Sequence, residues 1–128
     1  MAAGDLSDAL LQFIRLCIPS FEAAELLLFL AQHADRSWRA EEIAREIKPN
    51  VPPLPRIREC LALFQARGLA TEQSESYQFA PGSPELRSAV DALARAYEER
   101  PVTLIRTINS IADQKLQSFA EAFKFKKD

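Results

Sequence analysis

Glycine is scarce in this chain: Gly4, Gly68 and Gly82 are the only three in 128 residues. A phosphate-cradling loop needs several glycines close together, so that class of nucleotide site is excluded. His33 is the single histidine, and the two cysteines, Cys17 and Cys60, stand far apart without CxxC spacing. That leaves no metal-ligand pattern and no disulfide framework; reduced thiols buried in apolar surroundings are the expectation. No serine or cysteine has a base partner in a recognisable motif. His33, at the C-terminal end of an apolar helix, is expected to hydrogen-bond helix carbonyls. These absences argue for a non-enzymatic protein with no catalytic residues, no metal and no cofactor.

A surplus of positive charge is also missing. Sixteen Lys and Arg face eighteen Asp and Glu, for a formal net charge of -2. Binding to phosphates would therefore need a local basic patch. The longest apolar run, residues 26–31, falls far short of the ~20 residues a membrane span requires. The first residues, MAAGDLSDALLQF, carry no basic region ahead of an apolar one, so no secretory signal is read and a cytoplasmic location is expected. A composition that is 48% hydrophobic and 27% charged suits one globular domain with one core.

The chain then reads as a succession of helices with one hairpin. Leu6, Leu10, Phe13, Ile14 and Cys17 recur at three- and four-residue steps, with Asp5 or Ser7 as cap and Pro19 as stop. Leu11 and Ile18 widen this apolar face, so the helix needs cover on more than one side. Ser20 caps a second helix, apolar nearly all round over residues 23–31 and hence central. After a polar turn and Trp38, residues 40–48 form a short helix with Glu41 and Glu42 in its first turn. A proline-dense connection follows, and Pro55 suits the first position of a helix running to residue 67. Ile57, Cys60, Leu61 and Phe64 give that helix its inner face, and Gly68 ends it. Residues 69–72 and 76–80 read as two strands joined by a turn at 73–75. Ser83-Pro84-Glu85 starts another helix, Arg100-Pro101 breaks it, and a long amphipathic helix closes the chain.

Two stretches carry a resemblance. Ser37-Trp38-Arg39-Ala40-Glu41-Glu42-Ile43-Ala44 looks like a strand entering a capped helix. Leu61-Ala62-Leu63-Phe64-Gln65-Ala66-Arg67-Gly68-Leu69 looks like a helix running into a hairpin. In this order the elements resemble the winged helix-turn-helix superfamily used by many small bacterial transcription regulators. The resemblance covers about half the chain. It implies a mainly α fold, three helices plus a β-hairpin wing, with an N-terminal helix and long C-terminal helices added. Residues 1–19 would form the N-terminal helix, 20–82 the winged domain and 83–128 the C-terminal helices. The last resemble the dimerisation helices that flank such domains in families like MarR and PadR.

The resemblance implies a dimeric regulator of transcription that binds double-stranded DNA. Its candidate contacts are Arg56, Arg58 and Glu59 at the start of the recognition helix, with Arg39 and Lys48 on the backbone. Glu72 and Glu75 in the wing oppose this, since phosphates would be repelled. So does the length of the proline-rich connection between the second and third helices. Residues 51–82 are neutral, with Arg56, Arg58 and Arg67 against Glu59, Glu72 and Glu75. The alternative is a winged helix serving as a protein-interaction module that does not bind DNA. Val51, Pro52, Pro53 and Leu54 would then offer a stiff apolar contact. On either account a homodimer is expected, with Leu10, Phe13, Ile108, Leu116, Phe119 and Phe123 as its candidate surface.

Overall fold

The structure, a computed structural model, describes residues 6–47 and 52–127, with side chains as far as Ser118. Among these residues the fold is mainly helical, with a small three-stranded antiparallel sheet. In chain order the elements are α1 (Asp8–Cys17), α2 (Phe21–Gln32), β1 (Trp38–Arg39), α3 (Ala40–Glu46), α4 (Leu54–Ala66), β2 (Ala70–Gln73), β3 (Ser76–Phe79), α5 (Pro84–Glu99) and α6 (Pro101–Lys127).

Local chemistry explains most boundaries. Ser7, Ser20 and Ser83 sit in extended conformation before α1, α2 and α5, and each hydroxyl accepts the N–H three residues on. Each satisfies one of the orphan donors of a helix start. Pro19 follows α1, and Pro101 opens α6 directly after α5 closes at Arg100. The end of α4 is a Schellman motif. Gly68 takes φ +79°, its N–H donates to Gln65 O at 3.2 Å, and Leu69 N–H reaches back to Phe64 O at 2.8 Å. That reversal aims the chain into the hairpin.

The sheet order is β1-β3-β2. Ala70 pairs with Phe79 and Gln73 with Ser76, so β2 runs one residue further than the sequence implies and the loop shrinks to Ser74-Glu75. Both loop residues are left-handed, φ 52° and 65°. A two-residue loop with both positions left-handed matches the twist of paired strands, whereas a right-handed turn of the same length would splay them. Neither residue is glycine, so each carries a steric cost of roughly 1 kcal/mol. Glu72 offsets part of it by accepting the Glu75 N–H at 2.8 Å.

α2 is the central element. Ala23, Ala24, Leu26, Leu27, Leu28 and Leu30 are all buried, and it packs on α4, α5, α6 and β3. α1 lies against α5 and α6, which supplies the two-sided cover its wide apolar face needs. α4 presses Ile57, Cys60, Leu61 and Phe64 inward. Tyr77 and Phe79 share the inner face of β3, with Phe79 buried and Tyr77 packed against the core.

Two sequence expectations change here. Leu10, Phe13 and Ile108 are 4%, 6% and 1% exposed, because α1 and the first half of α6 fold onto their own chain. They are spent in the core and leave no surface for a second copy. In the proline-rich connection, Pro52 is buried and Leu54 packs against the core, so among the described residues 52–54 only Pro53 stands out. Pro52 and Leu54 therefore anchor the connection. Lys48 and Val51 lie outside the described residues, as do the side chains of Phe119 and Phe123. Leu116 is 67% exposed.

Candidate functional site

The face expected to meet DNA is built by the starts of α2, α3 and α4 together with the hairpin. Each helix start carries its own electrostatics. Glu22 lies in the first turn of α2, and Glu41 and Glu42 lie in the first turn of α3, where the positive helix end favours acids. Glu42 accepts the Arg39 N–H at 2.8 Å, which completes the start of α3 and holds its carboxyl below the ordinary range; a bond from Arg36 at 3.0 Å adds to this. Glu41 is likewise held low, first by its own backbone N–H and then by Arg58.

The first turn of α4 packs beside these acids, and its arginines are captured by them. Arg58 donates to Glu41 at 2.8 Å. Arg56 lies 3.5 Å from Glu22 on α2 and 3.6 Å from Glu59 on its own helix. Arg39, on β1, stands between Glu41 at 3.9 Å and Glu75 at 3.8 Å, and also donates to Ser74 O in the hairpin loop. Arg39, Arg56 and Arg58 thus face Glu22, Glu41, Glu59 and Glu75: three positive charges against four negative. Each ion pair is exposed and individually weak. Among these seven described side chains the balance is negative.

The structure therefore brings Arg39 and Arg58 together around Glu41, and Arg56 together with Glu59 and Glu22, as two separate clusters at α4. The missed residues are their partners, Glu22 and Glu41. Each was legible as a helix-start acid, but nothing in the spacing indicates that α2 and α3 point those starts at α4.

An aromatic wedge fixes the approach to β1. Trp38 is buried against Phe29, ring centroids 5.0 Å apart, and donates from Nε1 to His33 O at 3.2 Å. Arg36 covers the other side of the indole at 3.8 Å. His33 Nδ1 bonds the Phe29 carbonyl at 2.9 Å, the helix-end role expected of it. Cys17 and Cys60 are buried free thiols, and desolvation pushes both upward from the usual thiol range. Among the described residues no group of three or more His, Cys, Asp or Glu could hold a metal ion. No helix among them is long and apolar enough to cross a membrane.

Comparison with protein-family models, with curated proteins and with solved structures finds no significant match for this chain.

Proposed function

We propose that this chain is a non-enzymatic winged-helix protein that acts as a protein-interaction module and does not bind DNA. Support for the scaffold comes from the order α2, β1, α3, α4, β2, β3, with α4 packed beneath the hairpin strand and β1 completing the sheet. The observation that carries the function is the capture of Arg39, Arg56 and Arg58 by glutamates, beside a hairpin holding Glu72 and Glu75. A recognition helix laid in a major groove would bring its first turn and wing against phosphates. Here that approach meets four carboxylates and must break several ion pairs before any phosphate contact forms. Regulation of transcription by direct DNA contact, the expectation that the family resemblance carries, is the less favoured reading on this geometry.

The module works as a homodimer through the later half of α6. This helix is 27 residues long, about 40 Å at 1.5 Å per residue. Ile111 is its last buried residue among those whose side chains are described, and Leu116 stands exposed beyond it. In the sequence Phe119 and Phe123 follow Leu116 at three- and four-residue steps, the spacing of a helical stripe.

Two measurements test this reading. Fluorescence polarisation with duplex DNA at low and moderate salt should show no sequence-selective binding, and Arg56→Ala with Arg58→Ala should change nothing. Tight, selective binding lost in that variant would reverse it. Sedimentation should give a dimer that Leu116→Glu dissociates; a monomeric wild-type chain would remove the dimer.

A further inference from the structure

Three cations without an ion pair lie together elsewhere in the fold. Arg15 on α1 and Arg106 and Lys115 on α6 are exposed, and none has an ion-pair partner among the described residues. All three line the groove in which α6 runs beside α1. Lys115 donates to the Arg15 carbonyl in the last turn of α1, so the two helices are tied together at the groove. Among the described residues no acidic side chain lines it; Asp8 and Asp113 belong to the same helices but stand outside the lining. Its floor is aliphatic, formed by the half-buried Leu11 and the buried Ile111. Ser110 and Gln114 add neutral donors along the rim, whereas the Thr107 proton is already given to Thr103 O at 2.7 Å.

Cationic rims over an aliphatic floor fit one kind of occupant best. A nucleic-acid backbone would use the cations but has no group for Leu11 and Ile111, and the lining offers no aromatic ring on which a base could stack. A carboxylate-rich peptide bearing an aliphatic side chain uses both. The apolar side chain covers the floor, while glutamates or aspartates meet guanidinium and ammonium groups in charge-assisted hydrogen bonds. We infer that the α1–α6 groove is the docking surface for an acidic segment of a protein partner, seated by an aliphatic anchor. This rests on the protein-interaction reading and names its partner class. The face around α4 repels such a segment, so the two surfaces of the molecule select opposite charges.

The test uses the full chain and a fluorescein-labelled probe peptide of glutamates interrupted by a single leucine. Arg15→Glu with Arg106→Glu should weaken probe binding at least about tenfold, and added salt should weaken it in the wild type. Arg87→Glu with Arg95→Glu, on exposed α5 positions, makes the same charge change away from the groove and should alter binding by no more than about twofold. Circular dichroism should show unchanged helix content in both variants. Replacing the probe's leucine by glycine should also weaken it. Absence of probe binding, or equal loss in both double variants, overturns the groove while leaving the protein-interaction reading in place. Duplex DNA that binds and is lost on Arg15→Glu with Arg106→Glu reassigns the surface to nucleic acid and also overturns the proposal. Selective duplex binding that instead depends on Arg56 and Arg58 overturns the reading beneath it.

Discussion

Arg58 and Arg106 are both exposed arginines on amphipathic helices, yet their surroundings differ completely. Arg58 meets Glu41 at 2.8 Å in a cluster with Arg39 and Glu75, while Arg56 on the same helix stands between Glu22 and Glu59. Arg106 lines a groove in which, among the described residues, it has no ion-pair partner and no acid joins the lining. The difference begins with helix starts. Glu22 and Glu41 sit where the dipoles of α2 and α3 favour them, and the packing of α4 turns both toward its arginines. The α1–α6 groove is flanked by the last turn of α1 and the middle of α6, where the positive helix end exerts no pull on acids. A net charge of -2 therefore describes neither region.

The largest expected effect separates what holds the α4 face in place from what decorates it. Phe64 is fully buried beneath α4, and Phe64→Ala should cost about 3–5 kcal/mol in urea unfolding. A loss below about 1 kcal/mol would mean that α4 is not seated on the core as described.

Next in size is the hairpin beside it. Ser74→Asn with Glu75→Gly places residues that tolerate left-handed backbone where the loop demands it, and should stabilise the chain by about 1 kcal/mol. The gain is reduced by loss of the Arg39–Glu75 pair. Destabilisation by that variant would show that the pair and the loop's own contacts outweigh its backbone strain.

Smaller still are the ion pairs themselves. Arg56→Ala and Arg58→Ala should each change stability by less than about 1 kcal/mol, because both side chains are more than half exposed. A loss of several kcal/mol from either would make the pairs structural, and their charges could not then be varied independently of the fold.

The smallest expected effect is in pH dependence. Glu41 and Glu42 have folded-state pKa values below their ordinary 4.5, so their contribution is present above that value and lost as pH falls through the folded pKa. The urea midpoint should decline below about pH 4.5, and Glu42→Gln should flatten that decline slightly. A midpoint of Glu42→Gln that tracks the wild type at every pH would contradict the role given to its bond with the Arg39 N–H.

Much of this architecture was legible in the sequence because the signals are local. Serine caps, Pro84, the Arg100-Pro101 break and Gly68 each act within a few residues, and the helices fall where these place them. The strand register was misjudged by one residue, since a two-residue loop of Ser and Glu gives none of the usual Asn-Gly signal. Apolar residues were harder to apportion. Periodicity marks Leu10, Phe13 and Ile108 as one-sided but cannot say whether their own chain or a second copy covers them. The same limit applies to Pro52 and Leu54, since a proline-rich loop can be stiff and still be packed against its own core. Ion pairs such as Arg56 with Glu22 join residues far apart in the chain, and no spacing rule foretells them.

The pairing of the α4 arginines is the centre of the account, and unmasking them tests it most directly. Glu22→Gln, Glu41→Gln and Glu75→Gln together would leave Arg39 and Arg58 without their ion-pair partners and Arg56 with Glu59 alone. In a duplex DNA titration at low salt, the account predicts weak or absent binding by the wild-type chain and clear, salt-sensitive binding by the triple variant. Wild-type binding as tight as that of the variant, and lost on Arg56→Ala with Arg58→Ala, would contradict it.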